Sequence, residues 1–216
     1  MSARSRCITF GGDELYANES FSTFFLLMLV GCVSTETPKY EILKSAGEFE
    51  LRQYPATIVA ETTVDSSFDG AGNVGFRRLA KYIFGDNTTK AEIAMTAPVS
   101  QTAKGEKIAM TAPVGQSYSG SKFVISFTMP ASYTMASLPR PNSPDVVLRE
   151  VPGSKVAAIT FSGFSSEDLY RTKLAMLETW LQAESLRSSA PPVYARYNPP
   201  WTLWFLRRNE ILINVE

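Results

Sequence analysis

The chain of 216 residues contains no histidine. That absence excludes Ser-His-Asp and Cys-His nucleophilic systems, any histidine-bearing zinc site, and the usual general base near neutral pH. Cysteine is nearly absent as well: Cys7 and Cys32 both precede the apparent domain. The domain therefore has no thiol nucleophile, no CxxC pair and no internal disulfide. Neither sign of charge is in excess, with 21 basic and 21 acidic residues, so nothing favours a nucleic-acid partner, which calls for a basic stripe. Contents of 44% hydrophobic and 19% charged residues are those of an ordinary globular protein.

What the chain does have is a repeated heptapeptide. Ile-Ala-Met-Thr-Ala-Pro-Val occurs at Ile93–Val99 and again at Ile108–Val114. Each copy reads as a short apolar strand closed by a proline that has no N–H to donate. The polar segment between them contains Gly105, so the expectation is two adjacent strands joined by a surface loop.

The N-terminus reads as a sorting segment. Phe21–Gly31 is apolar over a length that suits a signal h-region and is too short for a comfortable membrane span. It ends in Leu29-Val30-Gly31-Cys32, which resembles the lipobox of bacterial lipoproteins. That resemblance implies cleavage before Cys32 and lipid attachment to its sulfur, with Ser34–Pro38 as a tether. It also implies an envelope location facing the periplasm, and Val33 after the cysteine favours the outer membrane. Asp13, Glu14 and Glu19 lie where positive charge is expected. The alternative is an N-terminal arm in which Cys32 is an ordinary small apolar residue. The expected organisation is residues 1–38 as signal and tether and 39–216 as the domain.

From Tyr40 onward, strands are expected at Tyr40–Leu43, Glu48–Tyr54 and Thr57–Val64, with Gly47 and Pro55 at turns. A first helix is expected over about Asn73–Phe84, with Phe76, Leu79, Ala80 and Ile83 as its core stripe. Lys122–Met129 follows the repeats, and Asp145–Val151 with Lys155–Phe161 reads as a hairpin about Pro152-Gly153. Ser165 is the expected N-cap of a second helix whose buried stripe is Tyr170, Leu174, Leu177 and Leu181. Strands at Val193–Tyr197 and Ile211–Val215 flank an aromatic loop, Trp201–Phe205. The order is that of two similar halves. It predicts an α+β domain with a curved antiparallel sheet or distorted β-barrel and one helix from each half against it.

In order and spacing, several segments resemble the SOUL haem-binding family. They are Tyr40–Leu43, Phe49–Tyr54, Leu79–Ile83, the two heptapeptides, Phe127–Pro130, Phe161–Phe164, Tyr197–Pro200 and Arg207–Glu210. The resemblance covers about Tyr40 to Val215. It implies a pseudo-two-fold barrel related to GyrI-like small-ligand domains, and binding of haem or another tetrapyrrole. A histidine ligand used in one branch of the family would fall at Gln53, so axial histidine ligation is excluded here. Another branch implies an open apolar groove beside the first helix, with cations meeting the propionates. Lys81 matches a basic position of that helix, whereas Asn73 stands where the family has an arginine and Thr202 about where it has a lysine.

The candidate tetrapyrrole residues are accordingly Asn73, Phe76, Arg77, Arg78, Lys81 and Phe84 on the helix, with Trp201 and Trp204 on the facing loop. The plainer reading of the cations is a solvated helix face, and of the tryptophans a loop folded onto the core. Met95 and Met110 read as core packing rather than iron ligands, and Tyr54 and Tyr82 as buried hydrogen-bonded phenols rather than phenolate ligands. Arg207-Arg208-Asn209-Glu210 reads as a hydrogen-bonded network with Glu210 paired to an arginine. The leading expectation is a non-catalytic binding domain. The alternatives are a GyrI-like hydrolase using Glu50, Glu61 or Glu150 as general base, and an envelope protein binding a lipid or peptide.

Overall fold

The computed structural model describes residues 35–89 and 105–216. In chain order its elements are β1 (Glu41–Ala46), β2 (Phe49–Tyr54), β3 (Thr57–Val64), α1 (Phe68–Ile83), β4 (Asn87–Thr88), β5 (Val114–Ser119), β6 (Lys122–Thr128), β7 (Arg140–Pro141), β8 (Val147–Val151), β9 (Ser154–Phe161), α2 (Glu167–Ala183), β10 (Val193–Arg196) and β11 (Asn209–Val215). Nine strands form one antiparallel sheet in the order β1-β2-β9-β11-β10-β5-β6-β3-β8, and β4 pairs with β7 apart from it. Exchanging β2, β3, β5 and β6 with β8, β9, β10 and β11 reverses that order without changing it. The two halves are thus related by a pseudo-two-fold, with β1 as an added edge strand.

The expected hairpin of 145–151 with 155–161 does not form: β8 pairs with β3, while β9 pairs with β2 and β11. The reason lies in the linker. Two-residue hairpin turns need a positive φ, and Gly153 has none, whereas Gly47 and Gly120, in the turns of the true hairpins β1–β2 and β5–β6, have φ of 64° and 60°. Pro55-Ala56 and Pro152-Gly153 instead carry the chain, in two residues, between strands near opposite ends of the sheet. Such short connections curl the sheet into a trough. The ladder itself stays open, with β1 and β8 as its edges.

Alternation assigns the two faces. Ile125 and Phe127 of β6, Ala157, Ile159 and Phe161 of β9, and Ile211, Ile213 and Val215 of β11 all lie in the core, on which α1 packs over β3 and β6 and α2 over β9 and β11. The intervening residues face the trough. Helix α1 starts five residues before its expected position, because Ser67 accepts from the Gly70 amide as N-cap and Phe68 is buried. Its core stripe is rotated accordingly: Ala71, Gly75, Leu79, Tyr82 and Ile83 are buried and Phe76 is not. A Cβ on Gly75 would collide with Ile125, so a glycine lets the helix lie close on β6. The N-cap of α2 is Ser166, one residue after the expected Ser165, which instead donates to Asn209 Oδ1 at 3.2 Å.

The second heptapeptide is not the expected strand. Ile108 is buried and donates to the Ile83 carbonyl, Thr111 forms a single bridge with Glu36, and regular pairing begins only at Val114. Pro113 has no N–H to extend the ladder backwards. Glu36 is already part of the fold, accepting from the Ala112 amide on its carbonyl and from the Ala131 amide on its carboxylate. The segment expected as tether therefore joins the fold by Glu36. The first heptapeptide with Met95, the apolar run, Cys7 and Cys32 lie outside the described residues. Among the described residues no helix is long and apolar enough to cross a membrane.

Candidate functional site

Asn73, Phe76, Arg77, Lys81 and Phe84 recur at helical spacing and share the exposed face of α1. Phe76 sits edge-on to Phe127 with ring centroids 5.5 Å apart, yet remains 38% exposed, and Phe84 is 59% exposed. Arg77 and Lys81 make no hydrogen bond or ion pair among the described residues. Arg78 does not belong with them. Its guanidinium donates to the Thr63 carbonyl at 3.0 Å and to the Thr62 hydroxyl at 3.4 Å, and it lies 3.8 Å from the Asp145 carboxylate. The sequence places Arg78 beside Arg77, but a one-residue step turns it toward β3.

The aromatic loop is held from within and from the segment leading into α2. Arg207 donates to the carbonyls of Thr202 and Pro200 at 2.8 and 2.6 Å, and its guanidinium lies 5.8 Å from the Phe164 ring. The Gly163 amide donates to the Trp204 carbonyl, and Trp204 stacks on Phe164 at 5.9 Å. Trp201 is 82% and Trp204 50% exposed, so the loop is not folded onto the core. No hydrogen bond, ion pair or ring contact among the described residues joins it to the α1 stripe. The approach is through its root: Arg196, which precedes the loop, lies so close to Gly72 that a Cβ there would collide with the guanidinium.

This set fits a surface-bound tetrapyrrole in kind. It offers exposed aromatic area for the ring and two unpaired cations for its carboxylates. It offers no imidazole, and neither candidate phenolate is free. The Tyr82 hydroxyl is buried and donates to the Pro139 carbonyl at 3.0 Å, and burial pushes it up to about 12. Tyr54 lies on the trough face, where its hydroxyl accepts from Arg52, and burial pushes it to about 12 against the pull of that cation. Met110 packs against the core.

The trough holds the densest polar cluster among the described residues, which the sequence only half disclosed. Glu210 on β11 is fully buried and accepts six hydrogen bonds. Arg52 supplies two, at 2.9 and 3.0 Å, and Arg208 two, at 3.1 and 2.7 Å. The hydroxyls of Thr160 and Tyr197 add 3.0 and 2.6 Å. Burial alone would raise the Glu210 carboxyl, but the Arg52 hydrogen bonds and charge, with Tyr197 and Arg208, hold it below the usual carboxylate range. Tyr197 is pushed well up by burial and by the Glu210 charge. Arg52 also donates to Glu50 at 2.7 Å and lies 4.3 Å from the Tyr40 ring.

The carboxylates expected to face an interior are thus differently placed. Glu50 is tied to Arg52, Glu61 forms a two-point pair with Arg149 at 3.0 and 2.6 Å, and Glu150 lines an outer cleft of about 880 Å³ between Glu36 and Tyr133. The deeply buried carboxylate is Glu210. Nothing at local spacing pointed to its principal partner, Arg52, which lies 158 residues away.

Comparison with known proteins follows the same architecture. The sequence profile described as SOUL heme-binding protein matches residues 35–214. Heme-binding protein 2 of Homo sapiens is 29% identical over 190 residues, covering 82% of this chain and 88% of its own. Heme-binding protein 2 of Mus musculus is 30% identical over 173 residues, covering 76% and 80%. Among solved structures, the EcmrR C-terminal domain aligns with a TM-score of 0.57 at 11% identity, covering 82% of this chain and 98% of that one. A hydrolase from Listeria innocua aligns with a TM-score of 0.52 at 11% identity, covering 81% and 94%. At these identities the structural likeness concerns the fold alone.

Proposed function

We propose that this chain, which belongs to the SOUL heme-binding protein family, binds haem or a related tetrapyrrole on the exposed face of α1 without histidine ligation and without catalysing a reaction. One observation carries the reading: Arg77 and Lys81 stand unpaired beside the exposed rings of Phe76 and Phe84 on one helix face. Covering a few hundred Å² of porphyrin at about 25 cal/mol per Å² supplies several kcal/mol before ordering costs. The cations orient the carboxylates more than they hold them, since exposed pairs contribute roughly 1 kcal/mol or less. Asn73 borders the stripe, and Trp201 and Trp204, exposed on the loop that follows Arg196, are its proposed second wall. When bound, haem supplies a redox-active iron whose ligand does not come from an imidazole of this chain.

A binding role also accords with the carboxylates. Of the three carboxylates considered as general bases, Glu50 and Glu61 each have an arginine partner, as does the buried Glu210, while Glu150 is exposed on the outer cleft. The proposal extends to the N-terminus, with Cys32 lipidated and the domain facing the periplasm, outer membrane favoured. Metabolic labelling with a radioactive fatty acid, lost in Cys32→Ala, tests that part.

The binding test is titration of the purified domain with hemin and with Zn-porphyrin. Saturation by both at micromolar concentration, with a hemin spectrum lacking imidazole ligation, is expected. Failure of both to bind overturns the assignment. Binding of hemin alone overturns the part that excludes a strong iron ligand.

A further inference from the structure

The trough has two halves of different character. At one end the Arg52–Glu210–Tyr197 cluster fills it. At the other is a hollow of about 230 Å³, walled by Val59, Val156, Val193 and Leu212 from strands on both sides. Small and short side chains leave this space: Ser117 on β5 and Ser126 on β6 reach into it where larger residues would close it. It lies on the sheet face opposite α1, because Ser126 alternates with the core residues Ile125 and Phe127. It is therefore separate from the proposed tetrapyrrole face.

Its charge is balanced locally. Glu61, the carboxylate at its wall, is held at two points by Arg149, and Glu210 beyond the Tyr197 ring has its donors in place. A cation entering the hollow would find no free carboxylate, and an anion no free guanidinium. Either would lose its hydration without compensation, whereas a neutral molecule would not. The hydroxyls of Ser117 and Ser126 make no hydrogen bond among the described residues, which leaves donors and acceptors for one polar group. At about 230 Å³ the hollow itself lies below the roughly 300–1,000 Å³ of drug-sized pockets and suits a bicyclic aromatic.

We propose that this hollow is a second binding site, for a small uncharged molecule with an apolar body and one hydrogen-bonding group. The probes are three molecules of nearly equal shape: 2-naphthol, 2-naphthoate and 2-naphthylmethylammonium, titrated into the full chain at neutral pH by calorimetry and by protein NMR. Saturable binding of 2-naphthol at least tenfold tighter than either charged analogue is expected. Val193→Phe, which fills the hollow from β10, should weaken 2-naphthol at least tenfold and leave the hemin titration unchanged. Ser117→Leu fills it from β5 and carries the same expectation if the first variant does not fold. Tighter binding of the cation or the anion, unchanged 2-naphthol affinity in the filled variant, or no 2-naphthol binding at millimolar concentration overturns the site. The hemin titration reads the other face separately, so failure of one assignment leaves the other standing.

Discussion

Arg52 and Glu210 lie side by side on the trough face in a two-point ion pair, with Nη1 2.9 Å from Oε2 and Nη2 3.0 Å from Oε1, and their side chains are 1% and 0% exposed. Each has further partners: Arg52 reaches Glu50, Tyr54 and Thr160, and Glu210 reaches Arg208, Tyr197 and Thr160. The pair joins β2 to β11 across β9, which binds the edge of one pseudo-symmetric half to the other.

Removing one member leaves the other buried and short of its principal partner. Arg52→Met is expected to destabilise the domain by about 3–5 kcal/mol, as loss of one partner of a buried pair does. Arg52→Met with Glu210→Leu should recover a large part of that loss, because no orphaned carboxylate remains. Urea unfolding midpoints of the two single variants and the double variant measure the coupling. A double variant as unstable as the sum of its parts would mean that the pair is not coupled.

The same cluster sets the response to pH. Glu210 is held below its usual value of 4.5, so its contribution is complete above that pH and is lost as pH falls through the lower folded value. Tyr54 and Tyr197 are raised from 10.0, so theirs is complete below pH 10 and is lost as pH rises further. Stability should therefore be level through neutrality and fall at both ends, the alkaline fall starting near pH 10. Tyr197→Phe should lower the plateau by about 1.5–3 kcal/mol, the range for a hydrogen bond to a charged group, and flatten the alkaline limb. Denaturant midpoints across pH for both proteins provide the measurement.

The closeness of α1 to the sheet gives a third expectation. Gly75→Ala places a methyl group into Ile125, and overpacking of this kind typically costs about 1–3 kcal/mol despite the better helix propensity of alanine. Gly75→Ala combined with Ile125→Ala, which removes Cγ1 and Cγ2 of the three Ile125 atoms that the methyl group would meet, should be less destabilised than the sum of the two single variants. Thermal unfolding of the three variants reads the difference.

These expectations rest on features that were unequally legible in the residues. The strands at 57–64 and 122–128 show in sequence because apolar and polar side chains alternate there, and the stripe of α2 shows through Tyr170, Leu177 and Leu181. Strand β5 was not visible, since Val-Gly-Gln-Ser-Tyr-Ser carries little apolar pattern. The first turn of α1 was hidden by Gly70 and Gly72, which read as loop, although Ser67 caps it. Partner choice was the larger gap. Asp145–Val151 and Lys155–Phe161 look locally like a hairpin, and only the backbone at Pro152-Gly153 sends them to separate neighbours. For the candidate site, the family resemblance pointed to the cations of α1 but gave no directions for them, which differ between Arg77 and Arg78 by one residue of helical rotation.

That difference supplies the sharpest test of the α1 face. Arg77 and Lys81 are exposed and unpaired, whereas Arg78 is tied to Thr62, Thr63 and Asp145. Arg77→Ala and Lys81→Ala should each weaken hemin about two- to fivefold, in keeping with the modest worth of exposed charge pairs, and the loss should shrink at high salt. Arg78→Ala should leave hemin affinity unchanged and lower the melting temperature, because its hydrogen bonds join α1 to β3. Phe84→Ala removes ring contact rather than charge, so its loss should persist at high salt. Hemin titrations of the four variants at two ionic strengths separate the roles. If Arg78→Ala weakened hemin as much as Lys81→Ala did, the tetrapyrrole would lie on the flank of α1 facing β3 rather than on the stripe of Phe76 and Phe84.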